Sequence, residues 1–261
     1  MLERDPHVKH LIQNANLEQP LSQNCLNLLE EVEITRNYAE LQTHKVFYFH
    51  APPPNGNGIK ANIVFVHDQT NSASVWVENG TLKTFAAFGY NCIALDLPGM
   101  GRTGALDLPG MGRTGGAAVE ESDRPRFLCE FIETIGIREL IIIGTSQAGQ
   151  YIIPLLYNRP DNFYIICVIA VALSDTNKLS HDAANDISTP CLVIRGELDT
   201  SLGLNAANNL RHLANARLIT VPQGKHLCHR SDPNYFHLVV LNFLDIVLKN
   251  VIRKSAFVTN I

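Results

Sequence analysis

Leu140-Ile141-Ile142-Ile143-Gly144-Thr145-Ser146-Gln147-Ala148-Gly149-Gln150 is the stretch that decides the fold. Four branched apolar residues stop at a run of small ones, and helix-forming residues follow. That is the pattern of a buried strand entering a tight turn and leaving it as a helix, with Ser146 at the apex. Such a turn forces the serine into a strained backbone conformation and lifts its hydroxyl clear of the sheet. The positions two before and two after the serine must be small, and Gly144 and Ala148 satisfy this. Gly149 lets the helix approach the strand closely. A Gly/Ser-rich turn of any doubly wound sheet reads the same way on this stretch alone, so the rest of the chain has to decide.

At 261 residues, with 46% apolar and 18% charged side chains, the chain suits one large α/β domain. A net charge of −4 gives no electrostatic reason to expect nucleic acid or an anionic membrane as partner. The six cysteines are scattered, several of them in apolar runs such as Ile165-Ile166-Cys167-Val168 and Cys191-Leu192-Val193-Ile194. They read as reduced core residues, not as a disulfide framework. Residues 1–30 hold no continuous apolar segment of the kind a secretory leader needs, and the apolar run Tyr164–Leu173 is too short to span a bilayer. The expectation is a cytoplasmic protein, compatible with a nuclear pool, with no membrane partner.

Residues 1–29 are polar and rich in Asn and Gln, and read as an N-terminal extension compatible with disorder. The main domain is expected over 30–250, with 251–261 as a tail. Val32 and Ile34, then Val46, Phe47 and Phe49, alternate as two antiparallel edge strands, and Ala51–Gly58 is a surface turn. Apolar strands follow at Asn62–Val66, Asn91–Asp96, the segment before Ser146, Tyr164–Val171, Cys191–Arg195 and Arg217–Val221. Helices are predicted at Ser74–Phe88, Arg124–Ile135, Gln147–Tyr157, Asn205–Leu213 and Tyr235–Lys249. Strand and helix alternate, which predicts a mostly parallel sheet with helices on both faces. Ligands of such sheets sit beyond the carboxyl ends of the strands. His67, Asp96, Ser146, Asp175, Asp199 and His226 all fall there.

Ala94-Leu95-Asp96-Leu97-Pro98-Gly99-Met100-Gly101-Arg102-Thr103-Gly104 is repeated without change as Ala105–Gly115. Two copies do not make a solenoid. An exact tandem copy points to a recent in-frame duplication, an assembly artefact or engineering rather than to a second functional loop. Only the first copy is continuous with Asn91-Cys92-Ile93, so it is expected to keep the strand while the second lengthens the loop at a cost of about 1 kcal/mol.

A serine nucleophile needs a base to accept its proton and an acid to orient that base. After Ser146, one strand ends in Gly196-Glu197-Leu198-Asp199 and the next in Pro222-Gln223-Gly224-Lys225-His226. This is the Ser, Asp, His chain order of α/β-hydrolases. Asp199 is the expected acid and His226 the expected base. Asp175 is an alternative acid, Glu197 reads as a solvated turn residue, and His229 lies nearer the last helix. His226, Cys228 and His229 lack a fourth metal ligand at suitable spacing, so no metal or bound cofactor is expected. The oxyanion donors are expected to be the N–H groups of Gln147 and Gln69. Asp68 sits awkwardly beside them, because a carboxylate aimed at an oxyanion opposes the reaction, and it is tolerable only if its side chain turns away. Leu173–Thr189 leaves no room for a helical lid, which predicts an open, shallow site for small acyl groups.

Ser72-Ala73-Ser74-Val75-Trp76, Gly80-Thr81-Leu82, Phe88-Gly89-Tyr90, Ala94–Gly99, Thr145–Gly149, Thr189-Pro190, Gly196–Asp199 and Gly224–Cys228 together resemble the α/β hydrolase domain-containing protein 14 family. The resemblance runs from about Glu31 to Lys249. It implies a compact, lidless serine hydrolase with Ser146, Asp199 and His226 as nucleophile, acid and base. It also implies action on small acyl esters, movement of acetyl groups from protein lysine to coenzyme A, and binding of a transcription-initiation factor subunit. The sequence departs from the family at Asp68, where glycine is usual, in the duplicated loop and in the polar N-terminus. Its leading reading is a serine hydrolase or acyltransferase. The alternatives are a non-catalytic interaction module on the same scaffold, and dehalogenase-type chemistry, which needs an aspartate where Ser146 stands.

Overall fold

Alternate side chains of the central strands divide into two apolar layers, and that division builds the molecule. The computed structural model describes residues 6–54, 58–100, 114, 117–158 and 160–252. Its strands are β1 (Thr35–Glu40), β2 (Lys45–Ala51), β3 (Ala61–Val66), β4 (Tyr90–Leu95), β5 (Glu139–Thr145), β6 (Tyr164–Val171), β7 (Cys191–Gly196) and β8 (Ala216–Val221). They form one 8-stranded sheet in the order β1-β2-β4-β3-β5-β6-β7-β8. β1 and β2 run antiparallel to their neighbours, and every pairing from β4 to β8 is parallel.

Ile63, Phe65, Ile141, Ile143, Leu192 and Ile194 face one layer, and Val64, Val66, Leu140, Ile142 and Val193 face the other. That is the period of two expected of a strand covered on both sides. The α-helices among the described residues are α1 (Pro6–Asn14), α2 (Gln23–Leu26), α3 (Ser74–Glu78), α4 (Thr81–Ala87), α5 (Arg124–Thr134), α6 (Gly149–Tyr157), α7 (His181–Asp186), α8 (Leu202–Leu210), α9 (Cys228–Ser231) and α10 (Pro233–Val247). The first layer receives Trp76, Leu82, Phe85, Phe236 and Phe243 from α3, α4 and α10. The second receives Phe131, Tyr151, Ala184 and Leu210 from α5 to α8.

Three elements differ from the sequence reading. The single helix expected over 74–88 is two, because Gly80 adopts a left-handed φ of 75° and Asn79 Oδ1 accepts the Thr81 N–H at 3.1 Å to start α4. The first edge strand begins at Thr35 rather than near Val32, since residues 29–31 form a 3-10 turn. From Pro6 onward the N-terminal stretch is packed on the fold: Ile12 and Leu17 are buried with α10, and Asn242 Nδ2 donates to the carbonyls of Leu17 and Gln19. The 251–261 tail lies outside the described residues beyond Ile252, as does nearly all of the second repeat copy. Thr114 is the exception. Its hydroxyl donates to the Asp96 carbonyl at 2.8 Å and accepts the Phe47 N–H at 3.0 Å.

Between β6 and β7 lie a 3-10 turn at Thr176–Lys178 and the short α7. Leu179, Ala184 and Ile187 are buried in the second layer, so this segment packs downward into the core. Among the described residues, no helix is long and apolar enough to cross a membrane.

Candidate active site

β5 delivers Ser146 at its carboxyl end, and the turn there is as tight as the sequence demands. Ser146 has a φ of 48°, a conformation that costs a non-glycine residue about 1–2 kcal/mol. Its carbonyl accepts the Ser174 N–H at 2.9 Å, which pins the apex to the segment after β6. A Cβ on Gly149 would lie 2.2 Å from the Ser174 carbonyl oxygen, so no larger residue fits. The close approach that requires glycine is therefore to the end of the neighbouring strand rather than to β5 itself.

The acid and base arrive on two turns that are laced together. Glu197 N–H donates to the Val221 carbonyl at 3.0 Å and Leu198 N–H to the Gly224 carbonyl at 2.9 Å. Glu197, read from sequence as a solvated turn residue, takes part in the lacing: its carboxylate accepts the Gln223 N–H at 2.8 Å. Asp199 Oδ2 accepts from His226 Nδ1 at 2.6 Å and from the Gly203 N–H at 2.9 Å. His226 Nε2 in turn accepts from Ser146 Oγ at 2.9 Å. With Nδ1–H committed to the carboxylate, Nε2 is left free to take a proton. Burial pushes the Asp199 carboxyl up, but the hydrogen bonds from His226, Ser201 and Gly203 outweigh it and hold the group below its ordinary range. The base is reachable, since the His226 side chain is 39% exposed while Asp199 beneath it is 3% exposed.

The alternative residues are engaged elsewhere. Asp175 forms an ion pair with Lys178 at 2.6 Å. His229 is fully buried, stacked on Trp76 with ring centroids 5.0 Å apart, and burial lowers its pKa to about 3. Among the described residues, His226, Cys228 and His229 do not converge into a group that could hold a metal ion.

The loop after β3 is braced from below by His67. Its Nδ1 donates to the Asp68 carbonyl at 2.6 Å, and its Nε2 accepts the Leu97 N–H at 2.9 Å. Burial lowers the His67 pKa, in keeping with a neutral ring in this role. Asp68 folds its carboxylate back into the loop. Oδ1 accepts the Thr70 N–H at 2.9 Å and the Thr70 hydroxyl at 2.6 Å, and Oδ2 accepts Asn71 Nδ2 at 2.6 Å. Burial would raise its pKa, yet these hydrogen bonds hold the group ionised below the ordinary value. The Gln69 N–H finds no acceptor among the described residues. Gln147 is the second residue of the 3-10 turn Ser146–Ala148, where the first N–H groups have no intrahelical partner. Sequence reasoning found neither the part played by Asn71 nor that of Arg230, whose Nη1 donates to Asn71 Oδ1 at 3.1 Å. Their sequence separation leaves no local signal.

A family model described as the alpha/beta hydrolase family matches residues 63–176, which include Ser146 but not Asp199 or His226. Protein ABHD14A of Danio rerio is 30% identical over 185 residues, covering 71% of this chain and 64% of that protein. The chain thus spans just under two thirds of that relative's length. ABHD14B of Homo sapiens, named provisionally as a protein-lysine deacylase, is 26% identical over 213 residues, covering 82% of this chain and 96% of that protein. Among solved structures, a CIB-like hydrolase from Thermoplasma acidophilum aligns with a TM-score of 0.67 at 20% identity, over 82% of this chain and 98% of that one. Carboxylesterase CesB from Bacillus subtilis aligns with a TM-score of 0.61 at 14% identity, over 84% and 94% of the two chains. These two likenesses concern the fold alone. Sheet order, serine turn and sequence similarity agree: the chain has the α/β-hydrolase fold, and over most of its length its sequence is similar to the ABHD14 proteins.

Proposed function

We propose that this protein is a serine hydrolase or acyltransferase for small acyl groups, working through an acyl-enzyme on Ser146. The observation that carries the reading is the continuous chain from Ser146 Oγ through His226 to Asp199, at 2.9 Å and 2.6 Å, with the serine held in its strained turn. Ser146 Oγ attacks the acyl carbon and passes its proton to His226 Nε2, while Asp199 steadies the resulting imidazolium. The N–H groups of Gln147 and Gln69 receive the oxyanion. Collapse breaks the bond to the leaving oxygen or nitrogen, which takes the proton from His226. Water then attacks the acyl carbon, or a thiol such as that of coenzyme A does, with His226 again accepting the proton. Ser146 is released.

The substrate class follows from access. Leu179, Ala184 and Ile187 of the segment between β6 and β7 are buried in the second layer, which suits an uncovered site and a small acyl group on a carrier that stays outside. The name of ABHD14B makes acylated protein lysine a reasonable carrier to test beside simple esters. The folding of Asp68 into its own loop supports catalysis over a purely binding role, because it turns the carboxylate's acceptors toward Thr70 and Asn71. The test is turnover of short-chain acyl esters and of an acetyl-lysine peptide, with and without coenzyme A, by the parent and by Ser146→Ala. Turnover by the parent alone supports the reading, and equal rates for the two proteins contradict it.

A further inference from the structure

A chain of side-chain hydrogen bonds runs from the loop after β3 to the turn that carries the base. Asp68 Oδ2 accepts Asn71 Nδ2 at 2.6 Å, and Asn71 Oδ1 accepts Arg230 Nη1 at 3.1 Å. Arg230 belongs to α9, which begins two residues after His226. Its own N–H donates to the Leu227 carbonyl at 2.9 Å, and the Ser231 hydroxyl accepts the Lys225 N–H at 3.5 Å. At the other end, Asp68 Oδ1 fixes Thr70, so Gln69 is held between two residues bonded to each other. The two segments lie far apart in sequence, and the Asn71–Arg230 bond joins them directly.

We propose that Asp68, Asn71 and Arg230 are positioning residues that hold the Gln69 N–H at a fixed distance from the Ser146–His226 pair. This rests on the reading of Ser146 as a nucleophile. Oxyanion donors must sit about 2.7–3.1 Å from where the charge develops, so a shift of a few tenths of an ångström in the loop is felt in the transition state. Among the described residues, the loop's backbone is further held by His67 from below, by a long 3.4 Å bond from the Asn71 N–H to the Asp68 carbonyl, and at its far end by Asp96 Oδ1, which accepts the Ala73 N–H at 2.5 Å. Glycine at position 68 would offer neither the oxygen that accepts both Thr70 donors nor the one that accepts Asn71. The residue that looks hostile to the chemistry in the sequence is thus the anchor of the loop.

The experiment begins with fluorophosphonate labelling and ester turnover by the parent. It then measures kcat, KM, affinity for a trifluoromethyl ketone, and thermal midpoint for Asn71→Ala, Arg230→Ala, Arg230→Lys, Asp68→Gly and the Asn71→Ala/Arg230→Ala pair. Asn71 and Arg230 sit at the surface end of the chain, so their variants fold even if Asp68→Gly does not. The expected result is a fall in kcat of about five- to twentyfold for Asn71→Ala and Arg230→Ala, with KM within about twofold. Affinity for the ketone, which mimics the tetrahedral intermediate, falls in the same proportion. Arg230→Lys recovers part of the loss, the double variant is no worse than the poorer single, and Asp68→Gly lowers kcat further. Unchanged kcat in the Asn71 and Arg230 variants of an active parent overturns the network, as does a higher kcat in Asp68→Gly. Failure of the parent to label or turn over ester would instead sink the nucleophile reading, and this inference with it.

Discussion

Asp199 and His226 are joined at 2.6 Å, and the same carboxylate oxygen also receives the Gly203 N–H at 2.9 Å. Two donors converge on one oxygen, so the acid is fixed before it orients the base. Asp199→Asn keeps the shape but offers an amide where His226 needs an acceptor, and the ring is left in the wrong tautomer. The expected outcome is a loss of about 10³–10⁴ in kcat with native circular dichroism. Activity within tenfold of the parent would contradict the assignment.

The fully buried His229 makes stability depend on pH. Its folded pKa of about 3 lies below its ordinary 6.5, so between these values the unfolded chain binds a proton that the folded chain does not. Stability therefore falls as pH drops from 6.5 toward 3, by up to about 1.4 kcal/mol per pH unit from this residue. The carboxylates act lower: Asp68 and Asp199, held below their ordinary 3.8, lose their contribution only as pH falls beneath it. His229→Phe keeps the ring packing against Trp76 and Phe236 and should gain about 2 kcal/mol over the parent at pH 5 relative to pH 7. Urea titrations at the two pH values check this, and an unchanged difference would contradict it.

Backbone strain at Ser146 should be measurable separately from chemistry. Alanine keeps the penalty of the φ of 48°, whereas glycine relieves it at some cost in chain entropy. Ser146→Gly should therefore be more stable than Ser146→Ala by about 0.5–1 kcal/mol, read as urea midpoints. Equal stability would contradict the strain.

The tandem repeat offers a test of the fold itself. β4 uses the first copy, while the described threonine beneath Asp96 is Thr114 of the second. Deleting Ala105–Gly115 leaves Thr103, its counterpart in the first copy, to fill that place. The shorter loop should close at a saving of about 1 kcal/mol and raise the thermal midpoint by about 2–4 °C. A variant that fails to fold would show that the added segment is structural.

Much of this was legible in the chain because it is local. Apolar runs give strands buried on both faces, and Ser146 between small residues gives a turn that few other sequences tolerate. Asp199 and His226 could be placed because strand ends define where side chains of this sheet must converge. The break at Gly80 escaped notice because residues 74–88 keep a helical pattern on either side of it. Burial of Ile12 and Leu17 escaped because a polar segment with two well-placed apolar residues looks like a tail until α10 is beside it. Asp68 is tolerable in the sequence reading only with its side chain turned away, and the structure has it so. Its partners Thr70 and Asn71 are adjacent, but the direction of a carboxylate in a loop is set by geometry that spacing does not encode.

The central claim is that Ser146 is an activated nucleophile, and fluorophosphonate labelling read by intact mass tests it most directly. One adduct is expected on the parent and none on Ser146→Ala under identical conditions. A folded parent that stays unlabelled, or a Ser146→Ala variant that labels equally, would contradict it.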